Sequence, residues 1–115
     1  MNSKKPNALL KGSLQVIILQ LLQKRGRMYG YELTQVVKEL THGEVVLTEG
    51  ALYPALHKME KAGWLTTEVQ IVENRARKYY DLTSGGASEL KVKLKETRHV
   101  LESLNLLLHL KPSML

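Results

Sequence analysis

A short cationic run near residue 76 has the chemistry to bind phosphate. Arg75, Arg77 and Lys78 place three cations within four residues. Lysine and arginine side chains are the usual partners of the phosphate oxygens of nucleic acids. Charged residues at a hairpin tip also protect a strand edge from aggregation, so such a run has an ordinary structural explanation as well. We interpret it as a phosphate-contacting element.

A second set of polar side chains shares one face of a helix predicted to begin after Thr48 and to end at Gly63. At helical spacing Leu52, Leu56 and Met59 face inward, and the opposite face combines small residues, a phenol, an imidazole and lysines. The acids Glu49 and Glu60 lie only at its margins. Such a face suits base edges and phosphates. The predicted nucleic-acid contacts of both sets are Thr48, Gly50, Tyr53, Pro54, His57, Lys58, Lys61, Arg75, Arg77 and Lys78.

No motif for catalysis or metal binding accompanies these residues. The chain has no cysteine, and its four histidines are not spaced as HExxH or H-x-x-x-H pairs. Neither a nucleophile elbow nor a phosphate-binding P-loop occurs. We therefore predict no enzymatic activity, no metal site and no cofactor.

Composition indicates a small basic protein with a polyanionic partner. The chain has 115 residues, a single domain by length, and a net charge of +6. Residues 1–83 hold twelve Lys and Arg against eight Asp and Glu. An anionic membrane surface would also attract such a charge, but no apolar run reaches the ~18 residues of a membrane span. We expect a cytoplasmic protein that does not enter membranes.

Hydrophobic periodicity predicts the elements that position these residues. After a basic arm at Asn2–Asn7, a first helix is capped by Ser13, a second begins near Gly30, and the helix after Thr48 is the third. From Trp64 the period changes from 3.6 to 2, with Leu65, Thr67, Val69 and Ile71 on the buried face of a strand. Glu73, Asn74 and Arg75 reverse the chain, and Arg77 to Leu82 returns as a second strand.

The last predicted helix, from Ser84 to about Leu110, has an apolar seam at heptad spacing. Such a seam on so small a domain requires a partner, and a second copy of the chain is the simplest one. Val16 and Leu19 lie outside the buried stripe of the first helix, so we expect them to join that interface. The predicted dimer interface consists of Val16, Leu19, Leu90, Leu94, Thr97, Leu101, Leu104 and Leu108.

Three helices followed by a hairpin predict an α+β, mostly helical fold, a winged helix-turn-helix with a long C-terminal dimerisation helix. The DNA-binding unit is assigned to residues 1–83 and the dimerisation helix to residues 84–115.

Four sequence blocks resemble the PadR family of bacterial transcriptional regulators, in its short branch with one C-terminal helix. The resemblance implies a homodimer that binds double-stranded operator DNA of pseudo-palindromic sequence and represses transcription. It also allows a small-molecule effector of unknown identity. The blocks are Leu10-Lys11-Gly12-Ser13-Leu14, Met28-Tyr29-Gly30-Tyr31-Glu32, Glu49-Gly50-Ala51-Leu52-Tyr53-Pro54-Ala55-Leu56 and Arg77-Lys78-Tyr79-Tyr80-Asp81-Leu82-Thr83.

One feature departs from that branch, some of whose members bind planar drugs between tryptophans of the last helix. The only tryptophan here is Trp64, and residues 84–110 contain no Phe, Tyr or Trp. We therefore expect a leucine-packed seam without a high-affinity site for planar ligands. A different class of function also remains open, a winged-helix adaptor that binds proteins and not DNA.

Overall fold

The computed structural model describes residues 12–109, which form four helices and three strands. The basic arm at Asn2–Asn7, the residues Leu10 and Lys11, and the helix end predicted near Leu110 lie outside this range. The α+β, mostly helical fold class is confirmed. In chain order the elements are α1 (Leu14–Arg25), β1 (Met28–Tyr29), α2 (Gly30–Leu40), α3 (Glu49–Lys61), β2 (Leu65–Val72), β3 (Arg75–Leu82) and α4 (Ser84–Leu108).

One apolar core joins all four helices. The side chains at its centre are less than 2 % exposed, and burying each one stabilises the fold by about 1.5–3 kcal/mol. No polar or charged residue among those described is buried with them. The central residues are Ile18, Leu19, Leu22, Leu33, Leu52, Leu56, Met59 and Leu90.

The second apolar face of α1 is covered by the chain itself. Val16 is 8 % exposed and Leu19 is fully buried, because α1 packs against α3, α4 and β3 of the same chain. The sequence-based expectation that a partner subunit covers Val16 and Leu19 is therefore wrong, because both are buried in the single chain. A helix wheel does not reveal that one short helix is packed on several sides.

The helix starts follow local hydrogen bonding. The Thr48 hydroxyl accepts from the Ala51 backbone N–H at 3.2 Å, and the Thr83 hydroxyl accepts from that of Gly86 at 3.0 Å. Both residues are N-caps. The Ser13 side chain, which was predicted to cap α1, makes no capping hydrogen bond there. Pro54 lies inside α3 and leaves the Gly50 carbonyl without its usual helical donor.

The three strands form an antiparallel sheet in the order β1-β3-β2. β1 pairs Met28 with Tyr80 and Tyr29 with Tyr79. This two-residue strand has no periodicity and was not predicted from the sequence. β2 and β3 are joined by Glu73 and Asn74, whose φ values of 52° and 64° are those of a type I′ turn. Arg75 therefore begins β3 and is not part of the turn.

The outer half of the hairpin, residues 69–78, projects beyond the core, and we call it the wing. Leu65 is buried and Thr67 is partly buried, but Val69 and Ile71 are 62 % and 70 % exposed. Their predicted burial is wrong, because strand alternation sets the face of a residue and not the extent of the core beneath it.

The start of α4 is fixed tightly against the base of the hairpin. The Thr83 hydroxyl donates to the Gly63 carbonyl at 2.7 Å, and the Lys93 ammonium lies 5.0 Å from the centre of the Trp64 ring. A Cβ at Gly86 would collide with the Trp64 carbonyl and lie 2.8 Å from Leu82 Cδ1. Because Leu90 lies in the common core, the first turns of α4 pack with residues 12–83.

Candidate nucleic-acid interface

The outer face of α3 carries the side chains that the helical spacing placed there. Leu52, Leu56 and Met59 are fully buried, which fixes the rotation of the helix about its axis. The opposite side is open to solvent and carries hydrogen-bonding groups and cations within one helix length. The exposed predicted contacts here are Thr48, Gly50, Tyr53, Pro54, His57, Lys58 and Lys61.

Tyr53 of α3 packs against the start of α2. Its ring is 43 % exposed, and its hydroxyl lies over Gly30. A Cβ at Gly30 would lie 2.8 Å from Tyr53 Cζ, so only glycine allows this approach. Tyr53 therefore joins the two helices of the helix-turn-helix while part of its ring faces solvent. This role of Gly30 was not predicted from the sequence.

Glu60, the acid at the margin of α3, contacts both strands of the hairpin. The Glu60 carboxylate accepts from the Thr67 hydroxyl at 3.2 Å and lies 3.4 Å from Lys78 Nζ. Both partners belong to the sheet face that packs toward α3. Glu60 thus fixes the base of the wing beside the helix, and its charge is partly neutralised there.

The three cations of the wing do not share one surface. Because successive residues of a strand point to opposite faces, Arg75 and Arg77 lie on one face of the sheet and Lys78 on the other. Lys78 is on the side of α3, with its ammonium 5.5 Å from the Tyr80 ring centre. Among the described residues, Arg75 has no ion pair or ring contact. The sequence placed all three residues on the hairpin, with Arg75 in its turn, but could not show this division.

Arg77 belongs to a cluster on the outer face of the sheet. Its guanidinium carbon lies 4.5 Å from the centre of the Tyr29 ring, and that ring meets Tyr79 edge-on at 5.4 Å. Arg27 lies 5.2 Å from the Tyr79 ring centre and pairs with Glu68 at 2.7 Å. A hydrogen bond with Tyr79 raises the pKa of Arg77 above its usual range. We call Arg27, Tyr29, Tyr79 and Arg77 the arginine–tyrosine cluster.

The predicted seam of α4 divides into two parts. Leu90 is buried and Leu94 partly buried against the core of the same chain, whereas Thr97 is partly exposed. Farther along, Leu101, Leu104 and Leu108 are 59 %, 41 % and 79 % exposed. The first part of the seam is thus covered by the same chain, and the second part is an uncovered apolar surface.

The fold and this site define a winged helix-turn-helix protein, in which a helix with an exposed polar face lies beside a basic two-stranded wing. A family model described as the transcriptional regulator PadR-like family matches residues 18–92. The chain belongs to this family of transcriptional regulators, a class whose members are generally not enzymes.

Individual relatives agree with this assignment. Over 77 residues the chain is 38 % identical to transcriptional regulator Rv3488 of Mycobacterium tuberculosis, covering 67 % of this chain and 65 % of that protein. The structure of a transcriptional regulator from Clostridium thermocellum is 31 % identical and superimposes with a TM-score of 0.78, covering 84 % of this chain and 94 % of that one. A PadR-like transcriptional regulator from Bacillus cereus is 30 % identical with a TM-score of 0.76, covering 90 % and 98 %.

Two further properties hold for residues 12–109. Within that range no helix is both long and apolar enough to cross a membrane. The same residues bring no three His, Asp or Glu side chains together as metal ligands.

Proposed function

We propose that the chain is a transcriptional repressor that binds double-stranded operator DNA as a homodimer. The observation that carries the proposal is the outer face of α3, where hydrogen-bonding and cationic side chains are exposed opposite a fully buried apolar face. In the proposed complex α3 enters the major groove, and the wing lies along the phosphate backbone. A dimer bound to an operator would block transcription by occupying the promoter, and it would act in the cytoplasm, where bacterial DNA lies.

In the proposed complex this surface makes two kinds of contact, one with base edges and one with phosphates. Gly50 and Pro54 let the helix approach closely, and Tyr53 and His57 offer hydrogen-bonding groups to base edges. Thr48 contributes a polar contact at the start of the helix. Lys58 and Lys61 on α3, with Arg75 and Lys78 on the wing, supply positive charge for phosphates. Arg77 lies on the wing as well, but its guanidinium is stacked on Tyr29.

Dimerisation would use the exposed part of the seam. Leu101, Leu104 and Leu108 lie on one side of α4 and are uncovered in the single chain. Pairing two such helices buries them and relates two copies of α3 by a two-fold axis, which requires a pseudo-palindromic site. An effector would act by favouring one separation of the two α3 helices over another.

The experiment is a mobility-shift titration on the promoter of the gene itself and on a random duplex, between about 50 and 300 mM salt. We expect binding that weakens steeply with salt, because each neutralised phosphate contributes a slope of about −0.9. Lys61→Ala should flatten this slope on both duplexes, and His57→Ala should change the preference between them. Arg98→Ala, which removes an exposed cation from α4, is the control and should change neither.

A wild-type protein without salt-sensitive affinity for either duplex would contradict the proposal. The winged-helix adaptor that binds proteins would then be the better assignment.

A further inference from the structure

We propose that Arg77 and Arg27 are positioning residues, which hold the wing at a fixed angle to the helix-turn-helix through Tyr29 and Tyr79. Arg77 then supports DNA binding by orienting the wing and not by neutralising a phosphate. This inference rests on the proposed DNA-binding function and specifies how one part of that surface is organised.

The backbone connection between the wing and the helix-turn-helix is small. By strand pairing the sheet joins the helix-turn-helix only at β1, whose two residues, Met28 and Tyr29, directly precede α2. On the other face, Glu60 of α3 holds the base of the hairpin. β2 and β3 are eight residues each, and their outer halves project from the core. A strand pair of two residues fixes the angle of so long a hairpin only weakly, so side-chain contacts across the strands must contribute.

The arginine–tyrosine cluster makes such contacts across all three strands. Arg77 on β3 lies 4.5 Å from the centre of the Tyr29 ring on β1. Arg27 joins the other two strands, because it lies over Tyr79 of β3 and pairs with Glu68 of β2 at 2.7 Å. Stacking a guanidinium on an aromatic face stabilises the pair, and partial burial strengthens the attraction.

The cluster occupies the sheet face that points away from α3. The face toward α3 is identified by Glu60, which contacts Thr67 and Lys78. The strand register puts Arg77 and Tyr79 on the opposite face. On that face the Arg77 guanidinium is stacked on a ring of its own chain, so it is less free to bind a phosphate than an unstacked arginine would be.

Arg75 is the matched comparison for Arg77. It lies two residues earlier on the same strand and the same face, carries the same charge, and is exposed beside the turn. Among the residues described, Arg75 has no ring beneath it. If charge alone matters, the two arginines should behave alike, and if stacking matters, they should differ.

The test measures DNA affinity and its salt slope for Arg77→Gln, Arg75→Gln, Tyr29→Leu and Tyr29→Phe. We expect Arg77→Gln and Tyr29→Leu to weaken binding by about threefold to tenfold with an unchanged slope. Tyr29→Phe keeps the ring and should retain wild-type affinity. Arg75→Gln should flatten the slope by about 0.9 for a lost phosphate contact. The double variant Tyr29→Leu/Arg77→Gln should bind like either single variant, because both remove one interaction.

A second readout needs no DNA. In the nuclear magnetic resonance spectrum, the Arg77 side-chain protons should be shifted by the Tyr29 ring in the wild type and in Tyr29→Phe, and unshifted in Tyr29→Leu. Circular dichroism checks that each variant is folded. The proposal is overturned if Arg77→Gln flattens the salt slope as Arg75→Gln does, or if the ring shift is absent in the wild type. A wild-type protein that shows the ring shift but binds no duplex would instead refute the proposed function.

Discussion

Gly85 and Gly86 are adjacent in the first turn of α4, but their surroundings differ. A methyl group on Gly86 would collide with the Trp64 carbonyl, a backbone atom that cannot move independently of the hairpin. The nearest atom to a methyl group on Gly85 would be the Gly63 carbonyl oxygen, at an ordinary 3.5 Å. The two positions therefore separate the effect of close packing from the effect of glycine in a helix.

We predict that Gly86→Ala lowers the free energy of unfolding by about 1–3 kcal/mol through overpacking. Gly85→Ala should leave it unchanged or raise it by about 0.5 kcal/mol, because alanine restricts the unfolded chain. Urea unfolding followed by circular dichroism measures both. Equal effects of the two substitutions would show that α4 can shift away from Trp64.

Tyr80 gives the protein a predicted dependence on alkaline pH. Burial raises the pKa of its phenol; Lys78 opposes this shift, and Glu60 adds to it. In the unfolded chain the phenol ionises near pH 10, about its ordinary value, and in the folded chain at higher pH. The folded state thus holds the proton more tightly, so this contribution to stability is complete below about pH 10 and is lost as pH rises through the folded pKa.

We predict that the free energy of unfolding falls less steeply above about pH 10 in Tyr80→Phe than in the wild type, because phenylalanine has no proton to lose. Urea unfolding across the alkaline range measures the slopes. Tyr31→Phe, at a ring 59 % exposed, is the control and should follow the wild type. If the free energy of unfolding falls with pH as steeply in Tyr80→Phe as in the wild type, the Tyr80 phenol is not the source of this pH dependence.

Periodicity and long-range contact differ in what they reveal about single residues. The outer face of α3 could be predicted from sequence, because the spacing of Leu52, Leu56 and Met59 alone fixes which side chains point outward. The stacking of Arg77 could not, because its partner Tyr29 lies on a strand that no pattern indicates. The contact of Gly30 with Tyr53 likewise joins residues from two helices. Local spacing predicts orientation, but not the partner across the fold.

At the scale of elements, α4 divides into an inner part that completes the core and an outer part that is uncovered. We predict a wild-type dimer at micromolar concentration, and Leu101→Asp should weaken it by at least about 100-fold by placing a charge in the seam. Because Leu101 is 59 % exposed in one chain, the variant should remain folded as a monomer. Sedimentation and circular dichroism measure the two properties.

Leu106→Asp is the control for this experiment. Leu106 is 71 % exposed, and helical spacing puts it about 140° around α4 from Leu101. Substitution there should leave the dimer intact. A monomeric wild type, or dissociation by both substitutions alike, would contradict the seam assignment.

The elements themselves were predictable where their patterns are long. The four helices and the two hairpin strands follow from periods of 3.6 and 2, and Thr48 and Thr83 mark two of the starts. β1 was missed because two residues carry no period. The exposure of Val69 and Ile71 was missed because the hairpin is longer than the core it covers, which is a property of the assembled fold.

At the scale of the whole molecule, the proposed dimer predicts a fixed operator geometry. Two α3 helices related by a two-fold axis should read half-sites about 34 Å apart, one turn of DNA. A duplex with both half-sites should bind much more tightly than one with a single half-site, and with about twice the salt slope. Inserting about five base pairs between the half-sites rotates one of them to the opposite side of the duplex and should abolish the gain. Equal affinity for all three duplexes would contradict a dimer bound in this way.

Trp64 lies between the end of α3 and the start of the hairpin. The Lys93 ammonium of α4 lies over its ring, 5.0 Å from the ring centre. It is the sole tryptophan of the chain. Its fluorescence therefore originates at the joint between the helix that bears the uncovered leucines and the unit that bears the wing. A nearby ammonium alters indole emission, so a change in the tilt of α4 would alter the intensity or wavelength of this light. The protein thus contains its own label-free reporter of movement between its two ends.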